Sequence, residues 1–600
     1  MDEFLAGVSL FATLDELTRL ELAEQLEPVH AAAGDVVIAQ GDPGDCLYLV
    51  LSGRLRVSVA ADGTERVLHD LSRGAIVGEI ALLSSRPRSA TVRAARDTDL
   101  LMLRISSFNA LVERNPAVLG HIARLLIDRL LAVDRPHLQS SGRRTIAIAP
   151  GGPDFRLAAK VAEDLTAELA RTGSAFLADA GIVARHLGPG AAQRGPGEPA
   201  RGELTEWLHA VERGNDYVVY LTDADDTAWS RLCLSQSDIA LLVASADGDS
   251  ALGAVEQRAL ASDLLRCELV LVHASRPSGT SRWLQNRPVA DYHHLRPQHP
   301  QDVARLGRMV TGRACGVVLG GGAARGFAHL GVLRALEEAG VPIDVVGGTS
   351  IGAIMGALCA HDLPDAERVE EALTAFTRSG RFISPTLPLV ALSSGRRVDH
   401  LLAKHIGATP IEDLPRRFFC ISANLTRAEE VIHERGVLWQ AVRASLSLPG
   451  IFPPVYADGD LLVDGAALDN VPVGVMRARV GNGTVVAVDL FPDVEPITAT
   501  AFDTGLSGWK VLSQRLNPRL ARRPVPSIFD ILARSTGLSG VRHKRAALVS
   551  DRVDLLLRPR LPPMGALDFK AGTGLIEVGY QHAVEELTRS GLAERFAYRG

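Results

Sequence analysis

Along the chain, short apolar runs broken by turn residues come first, and apolar runs alternating with helical spacing follow. Strands are predicted at Asp35–Ala39, Cys46–Leu51 and Arg54–Ala60, with turns at Gly41-Asp42-Pro43-Gly44 and Asp62-Gly63. His121–Val133 then places Ile122, Leu125, Leu126 and Leu130 on one helical face, and Asp134–Arg144 reads as a linker. Four buried-strand runs, Thr145–Ala149, Asp216–Leu221, Asp238–Val243 and Glu268–Val272, alternate with helical stretches, a pattern that predicts a parallel, Rossmann-like sheet. Leu187–Gly202, rich in Gly, Pro and Ala, reads as a mobile loop. Another α/β start comes later: strand Gly316–Leu319, glycine loop, helix Gly326–Ala339, strand Ile343–Gly347, helix Ile351–Ala360. In the first of these helices Leu330, Leu333 and Leu336 face inward, while Arg334, Glu337 and Glu338 face water. The expected architecture is multidomain: an N-terminal β-roll with helices over 1–134, a middle Rossmann-like α/β block over 143–311, and an α/β domain over 313–600.

Composition narrows the function classes. With 64 Lys+Arg against 70 Asp+Glu the net charge is -6, and no basic block appears, which argues against nucleic acid as the main partner. Six scattered cysteines without a C-x-x-C pair argue against a disulfide framework or a zinc site, and no metal is expected. The start MDEFLAGVSLF is acidic where a signal peptide is basic, and the low-charge run Val345–Ala360 is shorter than the ~20 residues of a spanning helix. A cytoplasmic protein is expected. The first middle-block strand ends in Ala149-Pro150-Gly151-Gly152-Pro153, which lacks the G-x-G-x-x-G of a dinucleotide site. Asp223, Asp225 and Asp226 read as helix-start capping, with cation binding as the alternative.

Two constellations carry chemistry. Gly78-Glu79-Ile80-Ala81-Leu82-Leu83 followed by Arg86-Pro87-Arg88-Ser89-Ala90 sets an acid, a short helical segment and an arginine within reach of one small ligand. Glu79 can accept from a ribose hydroxyl, Arg88 can pair with a phosphate, and the N–H groups of Ser89 and Ala90 can complete the anion site, with Gly78 permitting the tight backbone. Further on, Gly348-Thr349-Ser350-Ile351-Gly352 is a G-x-S-x-G pattern at a strand-to-helix junction, the context of a nucleophile elbow. About thirty residues earlier, Gly320-Gly321-Gly322-Ala323-Ala324-Arg325-Gly326 offers backbone donors for an oxyanion. Downstream, an Asp458-Gly459 turn delivers Asp464-Gly465-Ala466.

The first constellation resembles the phosphate-binding cassette of the cyclic nucleotide-binding domain family, which implies cAMP or cGMP as a candidate allosteric ligand. Ser89 leaves the choice between them open, and a roll retained as a ligand-free interaction module is the alternative. The glycine loop, G-x-S-x-G and D-G-A together resemble the patatin-like phospholipase family. That resemblance implies Ser350 as nucleophile, Asp464 as general base, and Gly321, Gly322 and Ala323 as oxyanion donors, with no required cofactor. Ser445, the segment Leu448–Pro454 and Asp469-Asn470-Val471-Pro472 also match. Ala323 stands where the family commonly has glycine, and it is tolerated there if its φ is negative. His329, His361 and His433 are the candidates for a triad instead of a dyad. A carboxylate base should be partly desolvated to gain basicity.

The three-part order resembles the neuropathy target esterase branch of the family, as does the spacing of Trp229, Cys233, Gln236 and Asp238. This implies lysophospholipase or phospholipase B type activity on a phospholipid or lysophospholipid, with peripheral membrane contact. Ile383–Leu392 and Leu448–Tyr456 read as core-packing segments or as the lining of a lipid access route. The rival reading is a ligand-sensing scaffold with a vestigial hydrolase domain.

Overall fold

Alternation along the early strands decides how the N-terminal sheets stack. On Thr98–Arg104, Leu101 and Leu103 pack with Leu47, Leu49, Phe11 and Phe108, whereas Leu100 turns the other way toward Val50, Leu55 and Val92. The computed structural model describes residues 2–6, 8, 11, 14–61, 64–72, 74–79, 87–114, 144–152, 154–195, 201–262, 264–361, 384–491, 553–562 and 572–596. Contacts divide the chain into two compact units, Met1–Thr311 (with Tyr598–Gly600) and Gly312–Ala597. The expected helix His121–Val133, the turn Asp62-Gly63, cassette residues 80–86, residue 383 and almost all of the linker lie outside the described residues.

In the first unit, two four-stranded antiparallel sheets form the β-roll. One runs Glu27–Ala31, Thr98–Arg104, Cys46–Ser52, Ile76–Val77, the other Val36–Ile38, Thr91–Ala94, Arg54–Ala61, Thr64–Ser72. A six-stranded parallel sheet follows in the order Ala175–Ala178, Tyr217–Leu221, Arg144–Pro150, Ile239–Ser245, Arg266–Val272, Asp291–Leu295. Its inner strands are almost wholly buried, as sheets covered on both faces require. Leu187–Gly202 is partly helical, containing a 3-10 turn at Ala191–Gln193 and the start of the helix Arg201–Gly214; 196–200 are outside the described residues. The capping expectation for the acidic trio needs correction. Thr227 caps the helix Ala228–Gln236, Asp223 accepts from the Thr227 hydroxyl at 2.6 Å, and Asp226 pairs with Arg231 and Arg258. Two guanidinium groups satisfy that carboxylate better than helix N–H groups would.

Roll and middle block meet through a buried charge cluster. Arg96 lies 3.4 Å from both Glu212 and Asp238 and donates to the Gln236 carbonyl, while Arg54 reaches Asp238 at 3.2 Å. Gln236 Nε2 donates to Asp97, and Tyr220 donates to Glu212.

In the second unit the parallel strands run Arg417–Asn424, Val345–Thr349, Cys315–Leu319, Thr484–Val488, Leu555–Leu557. Glu429–His433 and the hairpin Val455–Ala457/Asp460–Asp464 add antiparallel partners to Arg417–Asn424. The helix Gly572–Ser590 lies against Ala328–Glu338 at close range. A methyl group on Gly331 would stand 1.9 Å from the Ile576 carbonyl oxygen, and one on Gly579 would stand 2.1 Å from that of Ala328. These glycines let the two backbones touch.

Candidate active site

Strand register brings Ser350 and Asp464 together. Thr349 pairs with Ile421, and Asp464 pairs with the next residue, Ser422. Because Glu429–His433 occupies the other edge there, the strand ending at Thr349 and the hairpin strand ending at Asp464 meet end to end along one edge. Ser350 follows Thr349 directly. It adopts φ 57, ψ -122, a backbone that L-residues avoid, and its Oγ donates to Asp464 Oδ2 at 2.6 Å. The flanking glycines are sterically required. A Cβ on Gly348 would be 2.5 Å from the Gly352 backbone, and one on Gly352 would be 2.0 Å from the Leu319 carbonyl oxygen.

Asp464 is 3% exposed, and its other oxygen accepts from the Ala466 N–H at 2.9 Å. Burial pushes its carboxyl up to about 6, against the lowering effect of the Ser350 and Ala466 hydrogen bonds. Desolvation therefore outweighs the bonds and makes the carboxylate a better base than a surface aspartate. Ser445, at the end of the helix Leu438–Ser445, accepts the Ser350 N–H on its Oγ at 2.9 Å and so supports the strained turn.

The glycine loop sits at the same end of the sheet, because Leu319 pairs with Gly348. Gly320 donates to the Val488 carbonyl, and its own carbonyl accepts from His329 Nε2 at 2.8 Å. Of the three expected donors, the Gly321 N–H is already given to the Asn470 carbonyl at 3.2 Å. Gly322 and Ala323, at the start of a 3-10 helix, keep N–H groups without an acceptor among the described residues. The condition set for Ala323 is not met: its φ is 50, in the left-handed region where a Cβ is strained.

None of the three histidines reaches Ser350. His329 is fully buried against Gly320 and held neutral, its imidazolium pushed down to about 4 by burial. His433 hydrogen-bonds Ser422 at 2.7 Å and His361 the Ile406 carbonyl at 3.0 Å.

In the roll, Gly78 has φ 93, and a Cβ there would lie 2.6 Å from Arg88 Nη1. Arg88 donates to the carbonyls of Gly78 at 2.9 Å and Cys46 at 2.8 Å, and Glu79 is buried beside it in sequence at 2% exposure. Backbone bonds from Arg88 N–H to Asp42 and from Gly41 N–H to Arg88 tie the upstream turn to this arginine. Ser89 is exposed and Ala90 half-buried. Among the described residues no cluster able to hold a metal ion occurs, and no helix is long and apolar enough to cross a membrane.

Comparison with known proteins assigns classes to these parts. Residues 28–115 match the cyclic nucleotide-binding domain, 143–313 the neuropathy target esterase family P-loop like domain, and 317–477 the patatin-like phospholipase family. With these domains in this order, the chain is similar to the neuropathy target esterase branch of the patatin-like phospholipase family. It is 31% identical to lysophospholipase nte1 of Aspergillus terreus over 94% of this chain and 42% of that protein. Lysophospholipase NTE1 of Mycosarcoma maydis is 32% identical over 95% of this chain and 34% of its own length. Patatin-like phospholipase domain-containing protein 7 of Rattus norvegicus is 32% identical over 95% of this chain and 46% of its own length. The chain thus spans less than half the length of these relatives.

The sequence pattern singled out Ser350 and Asp464, which the structure joins by a hydrogen bond; it matched Ser445 and Asn470 without assigning them roles and did not reveal the commitment of Gly321.

Proposed function

We propose that this chain is a serine acyl hydrolase of lysophospholipase type, with Ser350 and Asp464 as a catalytic dyad. The observation that carries the reading is the 2.6 Å bond from a strained Ser350 to a buried Asp464. Asp464 takes the hydroxyl proton as Ser350 Oγ attacks the ester carbonyl. The oxyanion forms against the Gly322 and Ala323 N–H groups. Collapse of the tetrahedral species gives acyl-Ser350, and the proton on Asp464 passes to the departing glycerol oxygen. Water then gives a proton to Asp464 and attacks the acyl carbon; the bond from that carbon to Ser350 Oγ breaks, Asp464 returns the proton to Oγ, and the fatty acid leaves. No step requires a metal or an organic cofactor. The names of the relatives support a lysophospholipid as substrate.

Regulation by a cyclic nucleotide belongs to the same proposal. The supporting observation is that Arg88 donates to the carbonyl of Gly78, whose neighbour in sequence is the buried Glu79. A phosphate would take guanidinium N–H groups in place of, or beside, the two carbonyl bonds that Arg88 makes. Access to lipid is proposed to run by peripheral contact through exposed apolar side chains of the 385–390 loop.

The test is fatty-acid release from lysophosphatidylcholine by the purified chain, with and without cAMP or cGMP, beside Ser350→Ala. Release lost in Ser350→Ala supports the hydrolase, and a change with nucleotide supports regulation. Release that persists in Ser350→Ala, or its absence from the unmodified chain across lysophospholipid esters, overturns the hydrolase reading.

A further inference from the structure

Asn470 holds Gly321 from both sides. Its main-chain carbonyl accepts the Gly321 N–H at 3.2 Å, and its side-chain Nδ2 donates to the Gly321 carbonyl at 3.3 Å. The amide orientation follows from the acceptor, since a carbonyl oxygen can only receive a hydrogen bond from the NH2 end. The contact joins residues 149 positions apart and lies six residues beyond Asp464, so the segment that delivers the base also grips the oxyanion loop.

The geometry of the peptide unit gives this contact its consequence. No cis peptide bond occurs among the described residues, and in a trans peptide the carbonyl of one residue points opposite to the N–H of the next. Fixing the Gly321 carbonyl on Asn470 therefore fixes the Gly322 N–H in the reverse direction, and this N–H is one of the two without an acceptor. The loop packs against the nucleophile at this point: a Cβ on Gly321 would stand 3.4 Å from Ser350 Cβ and 2.5 Å from Asn470 Oδ1. Glycine at 321 is what admits the amide.

A side chain present only to stabilise the fold would satisfy its own polar atoms. Asn470 is 8% exposed, and its Oδ1 is buried without a hydrogen-bond partner among the described residues. An orphaned buried acceptor is destabilising, so the amide is retained at a cost to the fold.

We propose that Asn470 is a positioning residue that orients the Gly322 N–H toward the developing oxyanion, an inference that rests on the acyl-hydrolase reading of Ser350. The test uses the full chain carrying Asn470→Ala or Asn470→Leu, the second filling the space without a donor. Steady-state hydrolysis of lysophosphatidylcholine, the rate of covalent labelling by a fluorophosphonate and the thermal midpoint are measured together. The expected result is a kcat lower by roughly ten- to a hundredfold with KM little changed, and a labelling rate lower by a similar factor, because the phosphonyl oxygen uses the same donors. The thermal midpoint should not fall in step, since an unsatisfied acceptor has been removed.

Unaltered kcat in either folded variant, or a loss confined to KM, overturns the proposal. A loss of activity that tracks the thermal midpoint across both variants also overturns it, assigning Asn470 a packing role. Ser350→Ala separates the two levels: full turnover in that variant removes the nucleophile assignment, whatever Asn470 does.

Discussion

The Ser350 hydroxyl donates to Asp464 Oδ2 at 2.6 Å, because the strand ending at Thr349 and the hairpin strand ending at Asp464 face consecutive residues, Ile421 and Ser422, on one neighbouring strand. Asp464 is buried, and as the proposed base it takes its pH behaviour from that burial. Its carboxyl is pushed up to about 6 by burial, and only the ionised form can take the serine proton. We expect kcat/KM to fall about tenfold per pH unit below that value and to level off above it, as a pH–rate profile on lysophosphatidylcholine would record.

The same shift has a stability consequence of the opposite sign. A carboxyl raised in the folded state from 3.8 to about 6 contributes its full stability below the unfolded value and loses it as pH rises through the folded one. At pH 7 the ionised Asp464 costs the fold on the order of 3 kcal/mol. Asp464→Asn should therefore abolish turnover and raise the unfolding midpoint at pH 7. Its advantage should shrink toward pH 4. A midpoint lower than the parent's at pH 7 would contradict this.

Ala323 gives a third expectation. Its φ of 50 puts a Cβ where L-residues pay roughly 1–2 kcal/mol, and glycine gives back about 0.5–1 kcal/mol in unfolded-chain entropy. Ala323→Gly should stabilise the second unit by about 0.5–1 kcal/mol in urea unfolding. A destabilised variant would mean that the methyl group contributes packing that outweighs the strain.

The pairing of Ser350 with Asp464 was legible in the sequence because each half is announced by local chemistry: small residues around Ser350 at a strand–helix junction, and a tight Asp458-Gly459 turn before Asp464. The sequence carried the strands for a similar reason, since buried parallel strands are written as short apolar runs such as Cys315–Leu319 and Ile239–Ser245. What escaped it depends on long-range register and backbone dihedrals. The Ser445–Ser350 bond spans 95 residues, the occupation of the Gly321 N–H is a backbone-to-backbone contact, and the positive φ of Ala323 leaves no mark on side-chain pattern. Gln236 and Asp238 matched a family spacing, yet only the fold shows why they matter: one meets Asp97 and the other meets Arg54 and Arg96 of the roll.

That cluster yields a fourth prediction. Arg96 is 7% exposed and neutralises Glu212 and Asp238, which are themselves buried or nearly so. Arg96→Met removes the cation and leaves both acids short of a partner, a change that typically costs about 3–5 kcal/mol. Arg54 still serves Asp238 and Tyr220 still serves Glu212, so the lower end of that range is expected. Calorimetry should show the first unit melting earlier, and an unchanged trace would mean that the cluster adds nothing to docking of the roll on the parallel sheet.

The apolar loop supplies the last prediction. Core packing is excluded for Leu387, Leu389 and Val390, which are 74%, 84% and 71% exposed, whereas Ala391 and Ile451 beside them are buried. The loop is not loosely attached. Leu392 and Ser393 donate their N–H groups to the carbonyls of Gly450 and Ile451, and Ser447, three residues before Gly450, accepts the N–H of Asp464. Exposed leucines on a braced loop connected in this way to Asp464 suit insertion into a lipid surface, where burying each large side chain is worth about 1.5–3 kcal/mol. Leu387→Ser with Leu389→Ser and Val390→Ser should leave fluorophosphonate labelling of Ser350 intact while sharply reducing co-sedimentation with phosphatidylcholine vesicles. Turnover of vesicle-borne substrate should fall, and turnover of a short-chain soluble ester should persist. Vesicle binding equal to the parent's would place the membrane contact elsewhere on the chain.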